Sequence, residues 1–147
     1  MIFYQHFREL IEDTTSDLKL SKPEFTLACS MLVAHESQGG KFLRQHPTGP
    51  ALGVIQMERA THADTWLHCD NIQMYAERLG YREDVNKLKY DLRYNIFMAR
   101  MRFIMDVNPF PKTEKEMAVY LKNYWNSKKG AASPEKYLQD YYNWIEG

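Results

Sequence analysis

Apolar positions recur along this chain at helical spacing almost throughout. Phe3, Phe7 and Leu10 fall at i, i+4 and i+7 and predict a first amphipathic helix. Ser21-Lys22-Pro23-Glu24 then reads as a capping box with proline in the first turn. Behind it, Phe25, Cys29, Leu32 and Glu36 share one face, and Gly39-Gly40 stops that helix. Loop formers crowd residues 37 to 53, where at most a short β ribbon is expected within residues 42 to 56. Short helices follow from about Ala60 to Leu67 and from Asn71 to Leu79. The longest pattern starts near Asp84, with Val85, Leu88, Leu92, Ile96, Ala99 and Phe103 on one stripe, and Asn108-Pro109-Phe110-Pro111 ends it. A second capping box, Thr113-x-x-Glu116, opens a helix towards Trp125. Ser133-Pro134 opens the last, where Tyr137, Tyr141 and Ile145 repeat at i, i+4 and i+8. There is no internal repeat, low-complexity tract or linker, so a single mainly α domain over residues 1–147 is expected.

Composition narrows the function classes. A chain of 147 residues buries a core without metal or disulfide staples, and 44% hydrophobic with 26% charged residues is ordinary globular usage. Aromatics reach 14%, which suits stacking on flat ligands but is used more often to fill a helical core. Lys+Arg and Asp+Glu balance at 19 each, so no one-signed field exists to hold nucleic acid, and no such partner is expected. Cys29 and Cys69 form no CxxC or zinc-type cluster. Cys29 reads as a buried thiol, while the residues alone leave open whether the two pair. The N-terminus lacks a basic start followed by a long apolar run, and nothing approaches a membrane span. The expectation is a soluble protein made in a cytoplasm, without membrane insertion, that reaches any outside target by another route.

Candidate chemistry centres on His35-Glu36-Ser37-Gln38-Gly39-Gly40. Glu36 is the one acid on the apolar face of its helix and sits near the helix C-terminus. Burial and the negative end of the helix dipole both disfavour its charged form, as a proton donor near neutral pH requires. The glycines beyond it let backbone approach a bulky ligand closely. The competing reading is a solvated acid at a helix end, which pattern alone favours. Gly39 occupies the second histidine position of HExxH, which argues against a zinc protease. His62, His68, Cys69 and Asp70 fit no familiar ligand spacing, so neither metal nor cofactor is expected.

Glu36-Ser37 followed by Ala51-Leu52-Gly53-Val54-Ile55-Gln56-Met57-Glu58-Arg59-Ala60-Thr61 resembles the signature of the lytic transglycosylases and the related goose-type lysozymes. Asn95-Ile96 resembles that family's Asn-Ile pair, and Tyr124-Trp125-Asn126-Ser127, with Gly130 and Tyr137 beyond, resembles its Tyr-Asn-Ala-Gly segment and following tyrosine. The similarity spans roughly residues 25 to 142, and the arrangement also resembles small phage-borne members. It implies a lysozyme-like helical fold and cleavage of the β-1,4 bond between N-acetylmuramic acid and N-acetylglucosamine in peptidoglycan. Glu36 would then be the general acid and base. Ser37, Gln56, Tyr124, Trp125 and Asn126 would contact the glycan, though Ser37 also reads as a helix cap and Trp125 as core. Asn95 reads as a helix-holding residue. Pro50, Arg59 and Ser127-Lys128 depart from the pattern, which bears on loop shape and subsite contacts.

Reaction type stays open at this level. A transglycosylase uses the sugar's own C6 hydroxyl and one carboxyl. Inverting hydrolysis needs a second carboxylate roughly 6.5–9.5 Å from the first. Glu58 is the candidate for that role, because it lies two residues past Gln56, where the goose-type lysozymes that the chain resembles carry aspartate. On an extended strand it would share a face with Gln56, and it also reads as a cap of the helix from Ala60 or a partner of Arg59 or His62. The implied partners are peptidoglycan strands and, for a virion-associated or lysis enzyme, other virion proteins. A non-catalytic glycan-binding or virion module of the same fold is the rival from another class.

Overall fold

The chain runs, in the computed structural model, as α1 (Tyr4–Leu18), α2 (Pro23–Ser37), strands β1 (Ala51–Leu52) and β2 (Met57–Glu58), α3 (Arg59–His68), α4 (Ile72–Leu79), a 3-10 turn (Val85–Lys89), α5 (Leu92–Ile104), α6 (Glu114–Tyr124) and α7 (Pro134–Glu146). The structure describes residues 1–43, 50–125 and 132–147, and among them the protein is mainly helical. Its one sheet among these residues is the antiparallel hairpin, with Ala51 opposite Glu58 and Leu52 opposite Met57. No helix of the described residues is long and apolar enough to cross a membrane.

Two helices form the centre. In α2 every residue from Ala28 to Ala34 is buried, and in α5 every residue from Tyr94 to Met101. The single apolar face expected for α2 is therefore absent: α1, α5, α6 and α7 all pack against it, so all sides need apolar or small residues. Arg100, 3% exposed, donates to the Leu20 carbonyl 3.1 Å away and lies over the Phe25 ring, fixing the corner from which α2 departs. Cys29 and Cys69 are both buried free thiols; Cys69 Sγ lies 3.5 Å from the Met101 carbonyl oxygen.

Local signals fared unequally. Thr113 and Ser133 cap their helices as expected, their hydroxyls accepting from the N–H groups of Glu116 and Lys136. Ser21 does not: the cap position falls on Lys22, whose side chain makes no capping bond, and Glu24 pairs with Lys112 instead. The proline at the first helical position moves the start one residue past the serine. The long pattern from Asp84 to Phe103 is divided, because Asp91 accepts from the Tyr94 N–H and starts α5 anew after the 3-10 turn. On α7 the buried stripe is Tyr137, Tyr141 and Trp144, at i, i+4 and i+7, while Ile145 is exposed. Phe3 precedes α1 and is exposed, leaving Phe7, Ile11 and Leu18 as that helix's buried apolar residues, beside buried Thr14 and Thr15.

Candidate active site

Glu36 lies half-buried in the last turn of α2. The turn that follows is closed by three interactions. Ser37 Oγ donates to the Val33 carbonyl at 3.1 Å and accepts from the Gly40 N–H at 3.0 Å, while the Gly39 N–H also reaches the Val33 carbonyl at 3.1 Å. Ser37 is itself fully buried, so its hydroxyl holds the backbone of this turn together. Gln38, Gly39 and Gly40 all have positive φ, and the two glycines have no room for a Cβ. One at Gly39 would run into the Trp144 indole and one at Gly40 into Ile2.

Both ends of the chain support this turn. The Ile2 N–H donates to the Gly39 carbonyl at 2.7 Å, and Trp144 Nε1 donates to the Ile2 carbonyl at 2.8 Å. On the residue before Glu36, the His35 ring packs on buried Tyr137 with centroids 3.9 Å apart. His35 Nδ1 lies 2.9 Å from Asp140 Oδ2, and Lys136 Nζ donates to the other Asp140 oxygen at 2.7 Å. Burial pushes the imidazole pKa down, against the pull of Asp140 and with a smaller push from Lys136. The backbone carrying Glu36 is thus fixed from α7 on one side and from the glycine turn on the other.

The hairpin supplies the second part. Gly53 through Gln56 form its turn, with Val54 and Ile55 buried. Gln56 adopts φ 48°, and both its N–H and its Nε2 donate to the Gly53 carbonyl, at 3.1 and 2.9 Å. The side chain of Gln56 is half-buried and spends one donor on its own turn. Gly53 packs directly on α5: a Cβ there would collide with Asn95 Oδ1 and the Leu88 carbonyl. Asn95 Nδ2 donates to the carbonyls of Leu88 at 3.0 Å and Asp91 at 2.8 Å, so it joins the 3-10 turn to α5 as expected of a holding residue.

One premise of the sequence argument fails here. Gln56 and Glu58 would share a face on an extended run, but Gln56 is left-handed and only Met57–Glu58 are strand, so alternation does not relate the two side chains. Glu58 is exposed, stands at the cap position of α3 and makes no capping bond with its side chain.

Tyr124 and Trp125, at the end of α6, join an aromatic cluster rather than standing alone. Their rings lie 5.5 and 5.3 Å from that of Phe103, Tyr124 stacks on Tyr120, and its hydroxyl donates to the Arg102 carbonyl. Both remain half-buried, so each keeps an accessible edge. Asn126 lies outside the described residues, as do Ser127, Lys128 and Gly130.

Sequence reasoning missed the His35–Asp140–Lys136 cluster. The only signal for it was the i, i+4 pair Lys136/Asp140, which says nothing of a histidine 105 residues away. Of His62, His68, Cys69 and Asp70, His62 meets Tyr94, His68 meets Asp64, Cys69 approaches the carbonyls of Met101 and Asp70, and Asp70 is exposed. No family model, curated protein or solved structure matches the chain.

Proposed function

We propose that this chain has a lysozyme-like fold and cleaves the β-1,4 bond between N-acetylmuramic acid and N-acetylglucosamine in peptidoglycan, with Glu36 as its acid and base. The observation that carries this reading is the setting of Glu36: a carboxyl drawn half out of water at the end of a buried helix. Its backbone is held by the Ser37 turn, by Ile2 and Trp144, and by the stacking of His35 on Tyr137. Acid–base work rewards such placement, because a donor held at one position loses little freedom when the substrate arrives. Ordered resemblance in the Glu36-Ser37 and Gly53-Val54-Ile55-Gln56 segments supports it, as does the packing of Gly53 on Asn95, which joins two parts of that resemblance.

In the reaction, the Glu36 proton goes to the glycosidic oxygen as the C1–O bond breaks. The resulting carboxylate then takes the proton of the C6 hydroxyl while that oxygen bonds to C1, giving a 1,6-anhydro end and regenerating the acid. Gln56, Tyr124, Trp125 and Asn126 are the proposed glycan contacts. A second reading, inverting hydrolysis, takes Glu58, which is exposed at the start of α3, as the carboxylate that activates water.

Digestion of purified sacculi followed by mass spectrometry of the fragments tests all of this. Anhydro ends support the transglycosylase route and reducing ends the hydrolase. Glu36→Gln is expected to abolish cleavage with the helical circular dichroism unchanged. Intact sacculi after treatment with the wild-type chain, or undiminished cleavage by Glu36→Gln, would sink the reading and leave a glycan-binding or virion module. The expected setting is a phage-type wall enzyme, virion-borne or released at lysis.

A further inference from the structure

A cavity of about 400 Å³ opens where the start of α3 meets the segment before the 3-10 turn, lined by Arg59, His62, Ala63, Glu83, Asp84 and Val85. His62 is its buried member, only 2% exposed. The protons around this histidine follow from counting donors at Tyr94, whose ring is fully buried. Trp66 Nε1 lies 3.0 Å from the Tyr94 oxygen and can only donate; the Asp84 backbone N–H, at 3.2 Å, can only donate as well. A phenol oxygen accepts two hydrogen bonds and gives one. The Tyr94 proton therefore goes to the remaining neighbour, His62 Nε2, at 2.7 Å.

An accepting Nε2 carries no hydrogen, so the neutral imidazole holds its hydrogen on Nδ1. Burial keeps the ring neutral, moving its pKa down to about 4, with Asp84 opposing the shift and Arg59 adding to it. Nδ1 has no hydrogen-bond partner among the described residues. Nδ1 is not among the enclosed polar atoms left without a partner, so it touches solvent, and a ligand oxygen in the cavity takes the place of water at this donor.

The neighbours describe what that acceptor belongs to. Glu83 and Asp84 bring acceptors to the same cavity; one Asp84 oxygen already takes the Asn86 N–H, and a carboxylate has capacity to spare. Ala63 and Val85 add a small apolar surface, and Arg59 adds further donors. We propose that this cavity binds a secondary amide: the amide oxygen accepts from His62 Nδ1–H, the amide N–H donates to the Glu83 or Asp84 carboxylate, and a methyl-sized substituent packs on Ala63 and Val85. N-acetylated amino sugars and peptide links both carry this group. The lining includes none of the residues placed at the Glu36 site, and the proposal holds whether or not Glu36 is an acid catalyst.

A titration of the intact chain, read through the imidazole ¹⁵N signals of His62, tests it with three probes: N-acetylglucosamine, glucose and N-acetylalanine methylamide. A saturable shift at His62 Nδ1 with either amide, and none with glucose, supports the site, and the amide that acts at lower concentration separates sugar from peptide. Ala63→Trp fills the cavity from an exposed position of α3 while leaving the Tyr94–His62 bond in place, and is expected to weaken binding about tenfold or more. His62 signals that ignore both amides, that answer equally to glucose, or that respond undiminished in Ala63→Trp overturn the proposal.

Discussion

Replacing Gly53 by alanine tests how the hairpin is joined to α5. Gly53 has φ 79°, and a Cβ would lie well inside 3.0 Å of both Asn95 Oδ1 and the Leu88 carbonyl. Neither obstacle is a flexible side-chain end: Leu88 presents backbone, and Asn95 is held by two hydrogen bonds. Gly80 supplies an internal control, with φ 75° and nothing within 4 Å. Both alanines incur the left-handed strain of about 1–2 kcal/mol, partly offset by the stiffer unfolded chain, by about 0.4–1 kcal/mol. Only Gly53→Ala adds overpacking, about 1–3 kcal/mol. Urea unfolding of the two variants is therefore expected to differ by about 1–3 kcal/mol, equivalent to roughly 2–12 °C in Tm for a chain this size. Equal midpoints would refute the packing of Gly53 on Asn95. If the hairpin carries glycan contacts, Gly53→Ala also loses activity more steeply than Gly80→Ala at equal folded fraction.

Glu58→Gln is expected to leave fragment release nearly unchanged on the transglycosylase route, and a loss of a hundredfold or more in initial rate would instead place Glu58 in the chemistry, on the order of a missing general base. Acid sensitivity should report His62, which titrates near 4 when folded against an ordinary 6.5. The unfolded chain takes up that proton first, so this stability is complete above pH 6.5 and is lost as pH falls to about 4, on the order of 3 kcal/mol. Urea melts of wild type and His62→Gln across that range check it, the variant losing most of the slope; half-buried His35 contributes a further slope in the same direction. Cys29 and Cys69, 0% and 5% exposed, should not react with a thiol reagent in the native protein, whereas two thiols per chain should appear in guanidinium.

Helix existence was legible wherever the chain carries its own start and stop. Thr113, Ser133 and the Gly39-Gly40 pair act within four residues of themselves, and the structure places helix ends beside each of them. Boundaries were lost where two local signals compete. The proline after Lys22 overrides the Ser21 cap, and the Asp91 side chain starts a helix inside what reads as one continuous stripe. Glu36 was legible as an acid among apolar residues, but the enclosure of its helix was not. An i, i+4, i+7 face implies one buried side, whereas α2 is enclosed on all sides by elements that the sequence order cannot arrange.

Which segments are helical follows from local residues, because caps, glycines and proline act over single turns and their energies do not depend on distant residues. The sequence by itself also determined where a carboxyl would sit next to a glycine turn. Tertiary structure alone decided what surrounds that carboxyl. His35 meets Asp140 and Tyr137, Trp144 closes on Gly39, and Gly53 lies against Asn95, across separations of 42 to 105 residues. The same holds for Tyr94, whose two incoming donors set the tautomer of His62. Such contacts form only when packing brings remote surfaces together, and hydrogen-bond direction is then fixed by which donors happen to meet.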